Sequence, residues 1–291
     1  MRSETLGFAG LGRMGNPMAG RLVAAGYDLL GFDLAGTAAR LPAGAQAVAS
    51  VPDLAAQAGT IFLSVPDGAA SRDVCGQIAA AGARRARTVV DLSTIGIAAA
   101  QACAEMLEAA GVAYVDAPVS GGVAGARSGA LAMMVGAPAA VFAELEPLLA
   151  VLAAHRFRVG DAPGQGQAMK LLNNYAAAAA LAATCEATVF GAWLGLDLAT
   201  MVAVLNVSSG RSAASEDKFP RSILPRSYDY GFAGALMTKD VALYLESAAS
   251  AGVPHALADA VGALWQRFNA AHPEADFTAI HRYFEEGVEP P

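Results

Sequence analysis

Lys170 and Asn174 stand four residues apart in the run GQGQAMKLLNN, which begins at Gly164. If that run is helical, their side chains share one face. An ammonium group among methionine, leucines and alanines is costly unless it is exposed, paired or used. In use, it would exchange a proton with a hydroxyl while the asparagine amide orients the oxygen. A lysine that merely snorkels to water from an apolar helix fits the same residues.

A second constellation lies near the start of the chain, where LGFAGLGRMG runs from Leu6. Gly10, Gly12 and Gly15 give the spacing G-x-G-x-x-G after an apolar run and before a helical stretch. The first glycine permits a tight turn, the second a close approach of backbone to a pyrophosphate, and the third close packing of helix on strand. The helix start then offers N–H groups to phosphate. The loop Gly10, Leu11, Gly12, Arg13, Met14 and Gly15 is thus the expected dinucleotide contact. Asp33 follows Gly15 by 18 residues, where a carboxylate grips the adenosine ribose. It also repels a 2′-phosphate, which places NAD ahead of NADP, with Arg40 as a cation able to offset it. A glycine-rich turn in an unrelated α/β fold is the alternative. Further on, Val119-Ser120-Gly121-Gly122 closes another strand, and its glycines free backbone N–H groups for an anion.

The elements needed to hold these groups follow from patterning. Apolar runs at Leu6–Ala9, Leu29–Asp33, Thr60–Val65, Thr88–Leu92 and Val112–Asp116 predict strands. Leu131–Val135 and Phe157–Val159 predict two more. Helical stretches, among them Pro17–Ala25 and Ala98–Ala110, alternate with them, the mark of a parallel sheet covered on both faces. After Gly160 strand-like runs cease. A long helix from Gly166 to about Leu194 and helices over Ala199–Leu205, Phe232–Ala251, Ala256–Asn269 and Phe277–Glu286 are expected instead. The fold expected is α/β: an N-terminal Rossmann-type doubly wound parallel sheet over residues 1–162, then an all-α domain over 163–291 led by a long interdomain helix.

Composition narrows the partners. Hydrophobic residues make up 55% and charged ones 15%, enough for a large core and too few charges for disorder. A formal net charge of −7 argues against nucleic acid or an anionic membrane. Three scattered cysteines and four dispersed histidines give no metal-ligand spacing, so no metal is expected and the thiols are expected to be buried in a reducing cytoplasm. The start MRSETLGFAGLG has no apolar run of the signal-peptide kind. The stretch Ala176–Ala183 is too short and its flanks too polar to span a bilayer.

Four segments carry a resemblance: FAGLGRMGNPMA from Phe8, DAPVSGGVAGARSGALAMMVG from Asp116, GQGQAMKLLNN from Gly164 and FAGALMTKD from Phe232. In this order they resemble the β-hydroxyacid dehydrogenase family, from Leu6 to about Pro254. The resemblance implies hydride transfer between NAD (or NADP) and a small β-hydroxyacid or its semialdehyde, of the 3-hydroxyisobutyrate type. Reduction of glyoxylate, succinic semialdehyde or tartronate semialdehyde is the alternative. It implies Lys170 as the proton-transfer group and Ser120, Gly121, Gly122 and Asn174 as substrate contacts, with Phe232 walling the site. It further implies cofactor contacts from Val65, Pro66, Thr94 and Lys239, with Asp240 in a structural role, and a homodimer or homotetramer. Val65-Pro66 departs mildly from the family's Leu-Pro.

Three rival readings differ in particular residues. 6-Phosphogluconate dehydrogenase has a histidine where this chain has Asn173, and a longer helical domain. Imine reductases generally replace the lysine. A non-catalytic dinucleotide-binding module needs none of Ser120, Lys170 and Asn174. The polar segment from Asn206 to Pro220 reads as a loop whose Ser209, Arg211 and Lys218 reach either a substrate's distal end or only water.

Overall fold

The computed structural model describes residues 4–287. By packing, one compact unit ends at Lys170 and a second begins at Leu171.

The first unit is built on nine strands: β1 (Thr5–Ala9), β2 (Asp28–Phe32), β3 (Gln46–Ala47), β4 (Thr60–Leu63), β5 (Thr88–Asp91), β6 (Ala113–Asp116), β7 (Val119–Ser120), β8 (Ala132–Gly136) and β9 (His155–Gly160). Six of them run parallel in the order β3-β2-β1-β4-β5-β6. The chain therefore works outward from β1 in one direction and then in the other, the doubly wound dinucleotide-binding arrangement. β8 pairs antiparallel with β6, β7 antiparallel with β8, and β9 parallel with β8. The runs expected at Leu131–Val135 and Phe157–Val159 are thus strands, but reversed relative to the first six. Between β6 and β8 the chain forms β7 and a seven-residue helix, leaving no crossover helix long enough to return it for a parallel entry.

Among the described residues, seven helices lie in the first unit before the long one: α1 (Gly15–Ala24), α2 (Thr37–Arg40), α3 (Val51–Gln57), α4 (Gly68–Ala80), α5 (Ile97–Glu108), α6 (Gly122–Ser128) and α7 (Ala139–Leu152). Strand residues alternate between two cores, as the period of two requires. Leu6, Phe8, Phe62 and Val90 face Met18 and Leu22 of α1 and Leu148, Leu149 and Leu152 of α7. Ala9, Ile61, Leu63 and Val89 face Leu54 of α3, Ile78 of α4 and Cys103 of α5. Side-chain caps fix two helix starts: Ser50 accepts from the Asp53 N–H, and Asp67 from the Ala70 N–H at 2.9 Å.

α8 spans Gln165–Trp193, within a residue of the helix expected. Among its buried positions, Gln167, Lys170, Leu171, Asn174, Ala178, Leu181 and Cys185 recur at helical spacing along one stripe. The Ala176–Ala183 stretch alone is short, but the whole helix is long and apolar enough, by length and composition, to cross a membrane, with 44% of its apolar window buried in the protein.

From Leu171 onward the second unit adds α9 (Leu198–Asn206), a π-helix over Ala214–Ile223, α10 (Gly234–Ser250), α11 (Ala256–Ala271), a 3-10 turn at Phe277–Ala279 and α12 (Ile280–Glu286). Its core gathers Leu181 and Cys185 of α8 with Phe219, Val241, Trp265, Phe268 and Ile280. The segment expected as a polar loop up to Pro220 is helical from Ala214, because Phe219 and Ile223 anchor it in that core. Cys75, Cys103 and Cys185 are all buried free thiols.

Candidate active site

The parallel register aligns Phe32, Ala9, Leu63, Asp91 and Asp116 side by side at the carboxyl edge of the sheet. The turns carrying Gly10, Asp33, Val65 and Thr94 all leave from that line. The order of strands reverses at β1 and β4, and ligands of open α/β sheets bind in the crevice outside such a reversal.

The glycine loop has the shape a pyrophosphate needs. Gly10 has φ +91°, and a Cβ there would run into the Ser64 carbonyl of the neighbouring turn. A Cβ at Gly15 would strike the Gly10 carbonyl. At Gly12 a Cβ would meet nothing within 4 Å, so that backbone faces open space. No side chain caps the start of α1 and its first turn holds no acidic residue, which leaves the positive end of the helix to an anion. Leu11 turns its side chain into the core at 2% exposure and donates its N–H to Asp33 Oδ2 at 2.7 Å. Asp33 Oδ1 accepts from the Ala35 N–H at 2.8 Å and lies 3.7 Å from Arg40 Nε. Arg13 is exposed and Met14 half-buried. The residues present fit a dinucleotide.

Val65 and Thr94 are tied through the residue between them in space. The Val65 N–H donates to Ser93 Oγ at 2.8 Å, and the Ser93 N–H to Asp91 Oδ1 at 2.9 Å. Ser71 Oγ of α4 donates to Asp91 Oδ2 at 2.7 Å. Burial pushes the Asp91 carboxyl above the usual carboxylate range, against the hydrogen bonds from Ser93, Ser71 and Tyr114. Pro66 is exposed beside Val65. Ser120 ends β7, and Gly121 (φ +128°) and Gly122 (φ +61°) form an exposed turn that only glycine enters without strain.

The start of α8 is seated on β6. Asp116 Oδ1 accepts from the Gly164 N–H at 3.0 Å and Oδ2 from the Gln167 N–H at 2.8 Å. A Cβ at Gly166 would lie 2.5 Å from the Met134 carbonyl oxygen and 2.7 Å from that of Asp116, so the helix approaches this closely only with glycine there. Burial raises the Asp116 carboxyl to about 6, while the N–H bonds from Gln167 and Gly164 hold it down in part. Lys170, 7% exposed, comes one turn after Gln167.

In the second unit Asn174 Nδ2 donates to Asp240 Oδ2 at 2.6 Å, and Asn174 Oδ1 accepts from Asn173 Nδ2 at 3.0 Å. Lys239 Nζ lies 3.5 Å from Asp240 Oδ1. Phe232 is half-buried, edge-on to Phe277 with centroids 5.5 Å apart, and its N–H donates to Asp276 Oδ2 at 3.0 Å. Arg211 is exposed and pairs with Glu216 at 3.7 Å. Lys218 pairs with Asp217 at 2.9 Å and lies 5.1 Å from the Tyr230 ring centre. Both cations thus have carboxylate partners of their own.

Residues 5–160 match the NAD binding domain of 6-phosphogluconate dehydrogenase, and residues 164–284 the NAD-binding domain of NADP-dependent 3-hydroxyisobutyrate dehydrogenase. The chain is 39% identical to 2-(hydroxymethyl)glutarate dehydrogenase of Eubacterium barkeri, over 87% of this chain and 85% of that protein. It is 34% identical to a probable 3-hydroxyisobutyrate dehydrogenase of Mycobacterium tuberculosis H37Rv, over 95% and 96% of the two chains. The chain belongs to the β-hydroxyacid dehydrogenase family. A structure of Mycobacterium tuberculosis 3-hydroxyisobutyrate dehydrogenase with L-serine superposes on the dehydrogenase with a TM-score of 0.88 at 32% identity, covering 96% of this chain and 98% of the other. The dehydrogenase is accordingly an NAD(P)-dependent oxidoreductase acting on the CH–OH group of small hydroxyacids.

Within the first unit, then, the dehydrogenase brings the glycine loop, Asp33, Val65 and Thr94 to one edge of the sheet. Lys170 rises from a helix seated on that same edge. Asn174, Phe232 and Lys239 belong to the second unit. Sequence reasoning assigned no role to Gln167, Asp91, Ser93 or the Asp116 carboxylate. A signal was present for Gln167, a polar residue three positions before Lys170 on the same apolar stripe.

Proposed function

We propose that the dehydrogenase oxidises a small 3-hydroxyacid of the 3-hydroxyisobutyrate kind to its semialdehyde, with Lys170 as the proton-transfer group. The observation that carries this reading is a buried lysine one turn beyond a helix start pinned to the carboxyl edge of a dinucleotide-binding sheet. Residues 1–162 serve the cofactor and 163–291 supply the helical substrate and oligomerisation domain. The N–H groups of the glycine loop and of the α1 start take the pyrophosphate, Asp33 the adenosine ribose, and Val65, Pro66, Thr94 and Lys239 the nicotinamide side. Ser120 and the Gly121–Gly122 amides hold the substrate carboxylate, Asn174 orients the hydroxyl oxygen, and Phe232 excludes water. Lys170 Nζ, as the neutral amine or relayed through a water, accepts the hydroxyl proton in oxidation and, as the ammonium so formed, returns it in reduction. The bound dinucleotide supplies the hydride acceptor. NAD is preferred to NADP, because the Asp33 carboxylate opposes a 2′-phosphate and already offsets Arg40. The protein acts in the cytoplasm as a homodimer or homotetramer, with neither nucleic acid nor membrane as a partner. Its net charge of −7 favours that reading, as does a long helix whose buried stripe carries Gln167, Lys170 and Asn174.

A second substrate, a dicarboxylate such as 2-(hydroxymethyl)glutarate, is favoured by the 39% identical relative that bears its name. A panel of hydroxyacids and semialdehydes, followed by nicotinamide absorbance with NAD and with NADP, separates the two. Lys170→Ala should lower kcat by about 10²–10⁴-fold, with dinucleotide affinity nearly unchanged. Near-normal turnover in that variant would refute the assignment.

A further inference from the structure

We propose that Gln167 is a positioning residue that sets where the Lys170 amine stands relative to the cofactor-side turns; the inference rests on the reading of Lys170 as the proton-transfer group. Gln167 is fully buried. Its carboxamide makes three hydrogen bonds, all to the backbone of the turn between β5 and α5. Oε1 accepts from the Ile95 N–H at 2.9 Å and the Gly96 N–H at 3.2 Å, and Nε2 donates to the Ser93 carbonyl at 2.9 Å. These bonds bracket Thr94. The Gln167 N–H is given to Asp116 at 2.8 Å. Ser93 in turn receives the Val65 N–H on its hydroxyl. One side chain therefore ties the turns carrying Val65 and Thr94 to the helix that carries Lys170, about 4.5 Å further along the axis.

The residue type follows from the partners. The site demands an acceptor for two N–H groups and a donor to a carbonyl at the tip of one side chain, which a carboxamide supplies. Glutamate at neutral pH would set a carboxylate against the Ser93 carbonyl, asparagine is one methylene short, and an apolar residue would leave two buried N–H groups without their acceptor. A displacement of about 1 Å at a reacting group is enough to cost about 100-fold in rate, so a rigid clamp one turn before the lysine bears directly on turnover.

The test uses the full chain with Gln167→Ala, Gln167→Glu and Lys170→Ala, each assayed well below its melting temperature. Gln167→Ala should lose about 10–100-fold in kcat for hydroxyacid oxidation, with KM and the fluorescence-measured NADH Kd moving by less than about threefold. Amide hydrogen exchange over residues 164–170 should quicken in the same variant without cofactor, a readout independent of turnover. In Gln167→Glu, protonation restores a donor to the Ser93 carbonyl, so kcat relative to wild type should climb as pH falls, while the Gln167→Ala ratio stays flat. A Gln167→Ala kcat within about twofold of wild type, or a flat ratio for Gln167→Glu, would overturn the positioning role. If Lys170→Ala is inactive while Gln167→Ala is normal, the positioning role alone fails. If Lys170→Ala turns over normally, the parent reading fails with it.

Discussion

Asp116 shows how one carboxylate can set both the geometry and the pH response of this dehydrogenase. Ionised, it accepts two backbone N–H groups at the positive end of α8, a favourable place for an anion. Burial works the other way and lifts its folded pKa to about 6 from 3.8. Between those two values the native protein holds a proton that the unfolded chain has released. The contribution to stability is therefore complete below the unfolded value and is lost as pH rises through about 6. Integrated over the shift, it amounts to about 3 kcal/mol. Asp91 shifts in the same direction, and burial is again its main cause. Asp116→Asn removes one titration and keeps a single acceptor for two N–H groups. As a neutral isostere the variant should gain stability relative to wild type by up to about 3 kcal/mol between about pH 4 and about pH 7. Urea unfolding at both pH values measures this, and parallel pH profiles for the two proteins would contradict it.

Among the elements, α8 carries the strongest constraint. Its first turn abuts the β6 and β8 carbonyls, and the backbone reaches them because Gly166 has no side chain. In Gly166→Ala either the helix start or the strand ends must shift, at a cost of about 1–3 kcal/mol in unfolding free energy. The denaturant midpoint should fall with little change in the slope, and an unaltered midpoint would show that the seat is looser than its distances suggest. The glycine-lysine spacing was legible in the sequence, as were the helix it opens and the strand-helix alternation before it, because each repeats a local pattern. What escaped was non-local. Gln167 is named by three partners more than seventy residues away, and nothing beside it in the chain announces them. The reversal of β8 depends on which edge of the sheet remained open, and the π-helix at Ala214–Ile223 on Phe219 finding the core. Arg211 and Lys218 look from spacing like cations waiting for a ligand, yet Glu216 and Asp217 meet them. Sequence patterning sees periodicity along one element, whereas the contacts of Gln167, β8 and Phe219 join different ones; the pairs of Arg211 and Lys218 are local, with partners five residues and one residue away in the chain respectively.

For the molecule as a whole, the surface of the second unit poses the remaining physical problem. Phe190 (64% exposed), Trp193 (47%), Leu194 (55%), Leu196 (56%), Val204 (55%) and Val207 (87%) run from the last turn of α8 to the residue just after α9. Single exposed apolar residues are ordinary, but six large ones within eighteen positions concentrate the cost of hydration in one short stretch. Covering about 800 Å² per partner with such residues is enough for a stable association, and closed two-fold symmetry is the simplest way for one chain to supply both faces. If this stretch is where copies of the dehydrogenase meet, introducing charge there should separate them. Phe190→Glu with Leu196→Glu should sediment as a monomer at micromolar concentration where the wild type is a dimer or tetramer. The isolated chains should retain dinucleotide binding, since the glycine loop and Asp33 lie wholly in the first unit. An unchanged mass in the double variant would place the interface elsewhere, and a monomeric wild type would remove the homo-oligomer from the account.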